Sequence, residues 1–69
     1  MQRRPVVSSN IVSVGYEPTE MTLEIEFESG IYRYFSVPES VHIGLMGASS
    51  HGRYFAQSIR DHYSFSKIG

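Results

Sequence analysis

Between Met21 and Phe27 apolar and polar residues alternate without a break. Met21, Leu23, Ile25 and Phe27 fall on one side, and Thr22, Glu24 and Glu26 on the other. A period of two with acids outside predicts a half-buried strand. Upstream, Ser9–Tyr16 (SNIVSVGY) is short and β-branched, which predicts another strand. Glu17–Glu20 is turn material between them. Downstream, Glu28–Gly30 suits a three-residue hairpin loop with Gly30 in the left-handed position. Ile31–Phe35 then reads as the third strand.

After Val37-Pro38 the pattern changes to helical spacing. Proline disfavours helical geometry in the residue before it and suits the first helical position. Val37 is therefore expected to cap, and Pro38 to begin, a helix reaching about Ala48. A capping box from Ser36 to Glu39 is a rival start, and it would make Val37 helical. The inner stripe of this helix is Val41, Gly44, Leu45 and Ala48; the small Gly44 and Ala48 would admit another backbone. Ser49 or Ser50 can cap a second helix. On it Gly52, Phe55, Ala56, Ile59 and Tyr63 share one side, and Arg53, Gln57 and Arg60 share the other. Strands first and helices afterwards predict an α+β domain, a three-stranded antiparallel meander followed by two α-helices packed on one face. Residues 1–7 read as a flexible basic tail, residues 8–69 as a single domain, and the last residues as a tail that packs or frays.

Tyr32 and Tyr34 are two apart, so they share a strand face, with Arg33 on the other. Hairpin register decides which face is inside. If Phe27 lies opposite Ile31, as a three-residue loop favours, the tyrosines join Glu24 and Glu26 on the open face. With a loop one residue different they join Ile25 and Phe27 in the core, and Arg33 faces Glu24 and Glu26. The second register avoids burying an unpaired arginine, which costs several kcal/mol, and it suits rings with a hydroxyl at the edge. The first would build a platform on which unpaired bases stack beside an arginine.

Composition narrows the function. The chain has 69 residues and no cysteine, which excludes disulfides and thiolate zinc sites. Met1–Asn10 is too polar for a signal peptide, and no run approaches the roughly 20 apolar residues of a membrane span. A cytoplasmic location without a membrane partner is the expectation. The net charge of −1 argues against a strongly basic nucleic-acid binder. Its distribution is uneven, because the acids crowd into Glu17–Glu28 while five of the six basic residues are arginines.

Several side-chain constellations bear on function. Arg53, Gln57 and Arg60 form a helix face able to hold phosphate, since the planar arginine fork matches phosphate geometry; a plain solvated face is the alternative. Ser49, Ser50 and Gly52 stand at a helix start whose free N–H groups could hold an anion, or simply cap it. His42, His51 and His62 lack the converging ligands that a metal needs. Ser50-His51 adjacency lacks the third member and the geometry of a triad. No enzyme, metal or cofactor is expected.

Four segments, Ser8–Tyr16, Leu23–Gly30, Tyr32–Pro38 and Ala48–Tyr63, together resemble the KTSC domain. That short module of bacteria and phages is named for its place at the C-terminus of some lysyl-tRNA synthetases. The family's Y-x-Y falls on Tyr32 and Tyr34, its small-residue turn on Ala48, Ser50 and Gly52, and its Y-F…I-R on Tyr54, Phe55, Ile59 and Arg60. His42 and Ala56 depart from it, where an aromatic and an asparagine are common. The resemblance suggests RNA as a partner, through the synthetase association; the expectation of a non-enzymatic module rests on the absence of a reacting constellation. The contacts expected for RNA are Tyr32, Arg33, Tyr34, Arg53, Gln57 and Arg60. The alternative is a protein-interaction module or homodimer, pairing through a strand edge at Asn10–Val14 or Tyr32–Phe35.

Overall fold

The computed structural model describes residues 1–69. Its elements are β1 (Arg4–Pro5), β2 (Ile11–Glu17), β3 (Thr22–Phe27), β4 (Gly30–Tyr34), α1 (Glu39–Gly47), α2 (His51–Ser58) and β5 (Phe65–Lys67). The strands form one antiparallel sheet in the order β1-β2-β3-β4-β5. The class is α+β, but the sheet has five strands rather than the expected three. β1 and β5 are two and three residues long, too short to carry an alternating pattern. Docking against longer neighbours makes them strands. No helix is long and apolar enough to cross a membrane.

The N-terminal segment is therefore placed differently from expectation, while the C-terminal one packs, one of its two alternatives, as an edge strand. Within the segment read as a flexible tail, Arg4 pairs with Val14 and Pro5 with Ser13. The C-terminal segment lies along β4, with Phe65 opposite Tyr34 and Lys67 opposite Tyr32. The stretches Asn10–Val14 and Tyr32–Phe35, expected to offer open edges, are flanked by β1 and β5 and lie inside the sheet.

The β3–β4 register settles the tyrosine question. Phe27 is opposite Gly30, Ile25 opposite Tyr32, Glu24 opposite Arg33 and Leu23 opposite Tyr34. The loop is Glu28-Ser29, one residue shorter than expected, and Gly30 opens β4. Tyr32 and Tyr34 share the core face with Leu23 and Ile25. Gly30 has φ 151°, a backbone that side chains disfavour, and a Cβ there would stand 2.6 Å from Lys67 Cε and 2.7 Å from the Gly69 carbonyl oxygen.

A bulge between Ile11 and Ser13 lets residues three apart, Ile11 and Val14, both face inward. They join Leu23, Ile25, Tyr34, Val37, Leu45, Phe55 and Ile59 in the core beneath the helices. Each fully buried aliphatic side chain of this kind contributes about 1.5–3 kcal/mol relative to exposure.

Val37 ties sheet to helix. Its N–H donates to the Met21 carbonyl at 2.8 Å, and its carbonyl accepts the Tyr16 hydroxyl at 2.5 Å. Pro38 itself occupies the N-cap position, with no side-chain cap, so α1 starts at Glu39, one residue later than expected. Proline's fixed extended backbone and missing donor fit that place. Gly44 admits the Tyr54 ring of α2 rather than another backbone: a Cβ there would lie 2.7 Å from Tyr54 Cζ. Phe55 and Ile59 bury the inner side of α2, while Tyr63 lies beyond the helix end.

Gly30→Ala combines a disfavoured φ with a clash against β5. It is expected to cost about 1–3 kcal/mol and to raise amide exchange at Ser66 and Ile68. Urea unfolding and hydrogen exchange check both.

Candidate functional site

The expected contact residues lie on three separate surfaces. Tyr32 and Tyr34 belong to an aromatic cluster on the core face. Tyr32 meets Phe27 edge-on at 5.7 Å, and Tyr34 meets Phe55 edge-on at 5.7 Å and Phe65 at 5.5 Å. Burial, reinforced by Tyr32, pushes the Tyr34 hydroxyl up to about 12, with the Arg60 charge opposing. With Tyr34 buried, this pair offers no open stacking platform.

Arg33 lies on the opposite face of the sheet. Its Nη2 donates to Glu24 Oε1 at 2.9 Å. Arg3 takes the other carboxylate oxygen, and its Nε donates to the Ser13 hydroxyl at 3.1 Å. Arg3 reaches Glu24 across Gly15, where a Cβ would stand 3.0 Å from Arg3 Cγ. Glu24 is 5% exposed, although its face carries no helix. Burial would raise the Glu24 carboxyl, but the hydrogen bonds and charges of Arg33 and Arg3 outweigh it and hold the group below the usual range. The sequence offered Arg33 as a facing partner of Glu24, and that pair forms; Arg3, from a distant segment, completes the burial. Arg33 is consequently committed to a structural pair.

The remaining residues come together on α2. Ser50 is the N-cap, and its hydroxyl accepts the Arg53 N–H at 3.2 Å. Phe55 and Ile59 anchor the inner side, which turns Arg53, Gln57 and Arg60 outward at spacings of four and three residues. Arg53 and Gln57 line a shallow pocket of about 240 Å³ with Ser49, Ser50 and Tyr54. Ser49 and Ser50 at the helix start thus share one surface with Arg53 and Gln57, while Arg60 lies beyond the helix end and outside it. Gly52 stands apart from the pocket, with the Asn10 side chain 3.0 Å from where its Cβ would be. Arg53 has no carboxylate partner, and Arg60 only approaches Asp61, at 4.0 Å between two exposed side chains. Tyr54 is a pocket residue that the arginine pattern missed, although the family's Y-F…I-R motif falls on it.

The histidines have structural engagements. The His51 ring bonds the Leu45 carbonyl at the end of α1 (2.8 Å), and the His62 ring bonds the Gln57 carbonyl near the end of α2 (3.0 Å). Side chains that satisfy the last carbonyls of a helix stabilise its terminus.

A family model described as the KTSC domain matches residues 7–63. The chain belongs to the KTSC domain family. It is 43% identical to an uncharacterized protein of Stutzerimonas stutzeri, over 99% of each chain. A crystal structure of a KTSC domain protein from Yersinia pestis superimposes with TM-score 0.97 at 48% identity, covering 99% of this chain and 97% of that one. The KTSC chain is also 43% identical to part of a lysine–tRNA ligase of Nostoc sp., a match that takes in 87% of this chain and 11% of the ligase.

The Glu24 pair gives a test with a defined sign. Its depressed carboxyl adds stability that is full above about pH 4.5 and is lost as pH falls through the folded value. Glu24→Gln is expected to cost about 1–3 kcal/mol near neutrality and to flatten the acid limb. Urea midpoints of the two proteins from pH 7 down to about pH 3 check it.

Proposed function

We propose that this KTSC domain is a non-enzymatic binding module that takes RNA backbone phosphates on the outer face of α2. The observation that carries the reading is the Arg53 pocket. A guanidinium without an acidic partner stands there beside the Gln57 amide and the Ser49 and Ser50 hydroxyls. Arg60 lies in the turn just past the helix end at Ser58, exposed and outside the pocket. Planar guanidinium donors and neutral donors together suit a phosphate oxygen cluster. The similarity to a segment of lysine–tRNA ligases supports RNA as the source of that phosphate. A net charge of −1 makes the binding weak and confined to this face.

Fluorescence anisotropy with labelled tRNA and single-stranded RNA at low salt tests the reading. Binding should weaken as salt rises, because phosphate contacts release counterions. Arg53→Ala and Arg60→Ala should each reduce the salt slope by roughly one. Anisotropy that stays flat up to about 1 mM protein, beyond ordinary non-specific affinities, would remove RNA from consideration.

A second reading, self-association, is favoured by the free edge of β5. The β1 edge has no N–H at Pro5, whereas β5 has no proline and exposes Phe65. A sedimentation mass that stays monomeric as concentration rises would count against it.

A further inference from the structure

A larger hollow lies away from the α2 face, between β1, β2 and α1. It encloses about 570 Å³, within the roughly 300–1,000 Å³ of small-molecule sites. Val14 of β2 and Ile43 and Met46 of α1 give it apolar walls. Ile43 is 63% exposed and Met1, which also lines the hollow, is 52% exposed. Large apolar side chains left uncovered around one concavity are the usual mark of a binding site.

The polar groups of the hollow are few. The Tyr16 and His42 rings stack with centroids 4.9 Å apart and planes 10° apart. The Tyr16 hydroxyl is already spent on the Val37 carbonyl. The Glu17 carboxylate accepts from the Thr19 N–H at 3.3 Å and from the Thr19 hydroxyl. Burial, with help from the Arg4 charge and against that of Glu39, lowers the His42 imidazole, so the ring is neutral near pH 7. Arg4 makes no ion pair and no side-chain hydrogen bond. Its guanidinium is the side-chain cation of the lining that lacks a partner, while the Glu17 carboxylate is held, though not neutralised, by Thr19.

We propose that this hollow binds a small organic carboxylate, with its apolar body against Ile43, Met46 and Met1 and its carboxylate on Arg4. An apolar concavity with a single fork-shaped donor fits such a molecule: the walls take the body, and the guanidinium fixes the charged end. The wall formed by residues 1–4 is held in place by the Arg3 contacts to Glu24 and Ser13 on the other side of the sheet. This site is independent of the RNA reading and shares no residue with the α2 face.

The test is heteronuclear NMR of the whole chain, titrated with phenylbutyrate, with uncharged phenylbutyramide, and with inorganic phosphate alone. Phenylbutyrate should give saturable shifts at Val14, His42, Ile43 and Met46. The amide, and phenylbutyrate with the Arg4→Gln variant, should each bind about tenfold more weakly, the loss of one charge-assisted contact. Arg4 is exposed, and an unchanged spectrum of the free variant confirms its fold. No saturable shift up to about 10 mM, well above the range of ordinary small ligands, would overturn the proposal. So would equal binding of acid and amide, unchanged binding by Arg4→Gln, or the same shifts from phosphate alone.

Discussion

The pairing of Glu24 with Arg33 across β3 and β4 is the constraint on which the molecule turns. Slipping the hairpin by one residue would exchange the two faces of β4. Tyr32 and Tyr34 would leave the core, and Arg33 would enter it without a partner. A misplaced arginine charge costs several kcal/mol, more than a small domain of marginal stability tolerates. The short Glu28-Ser29 loop and the permissive Gly30 make the observed register accessible; the charge pair and the aromatic core make it the stable one.

That pair also explains how the N-terminal segment is held. Glu24 has two carboxylate oxygens, and Arg33 occupies one of them. The other draws in Arg3, whose path runs over the bare backbone of Gly15. β1 contributes just two residues to the ladder, so hydrogen bonding alone secures it weakly. The ion pair and the Ser13 contact add to that anchor. The hollow beside α1 exists because β1 is held there, and it is bounded on one side by a segment that has little other attachment.

The binding features divide along the same lines. Residues used to define register, among them Arg33 and the tyrosines, are engaged within the chain, Arg33 by Glu24 and the tyrosines by the aromatic core. Residues on the outside of α2 and at the rim of the β1 hollow keep uncommitted guanidinium groups. In a domain this small nearly every inward position serves the core, so side chains without a partner are left on the far sides of helices and at sheet margins. The KTSC fold thus leaves two unrelated surfaces free, one polar and shallow, the other apolar and concave.

The three long strands, both helices, the inward faces of β3 and α2, and the KTSC family were legible in the sequence. Each rests on local periodicity or on residues close together in the chain. Met21–Phe27 alternates whatever lies beside it, and Phe55 and Ile59 fall on one helix side by spacing alone. The cluster of Arg53 and Gln57 with Ser49 and Ser50 was half legible, because one helix start sets both. The two edge strands, the burial of Glu24 and the β1 hollow were not. The Arg33 side of the pair follows from the hairpin register, but Arg3 and Gly15 are far from Glu24 in sequence, and no local pattern marks a carboxylate that a second, distant arginine will cover. Two or three residues carry no strand signal until a neighbouring backbone offers its hydrogen bonds. Propensity and pattern act along the chain, whereas burial of charge and edge pairing are decided by what the folded chain brings alongside.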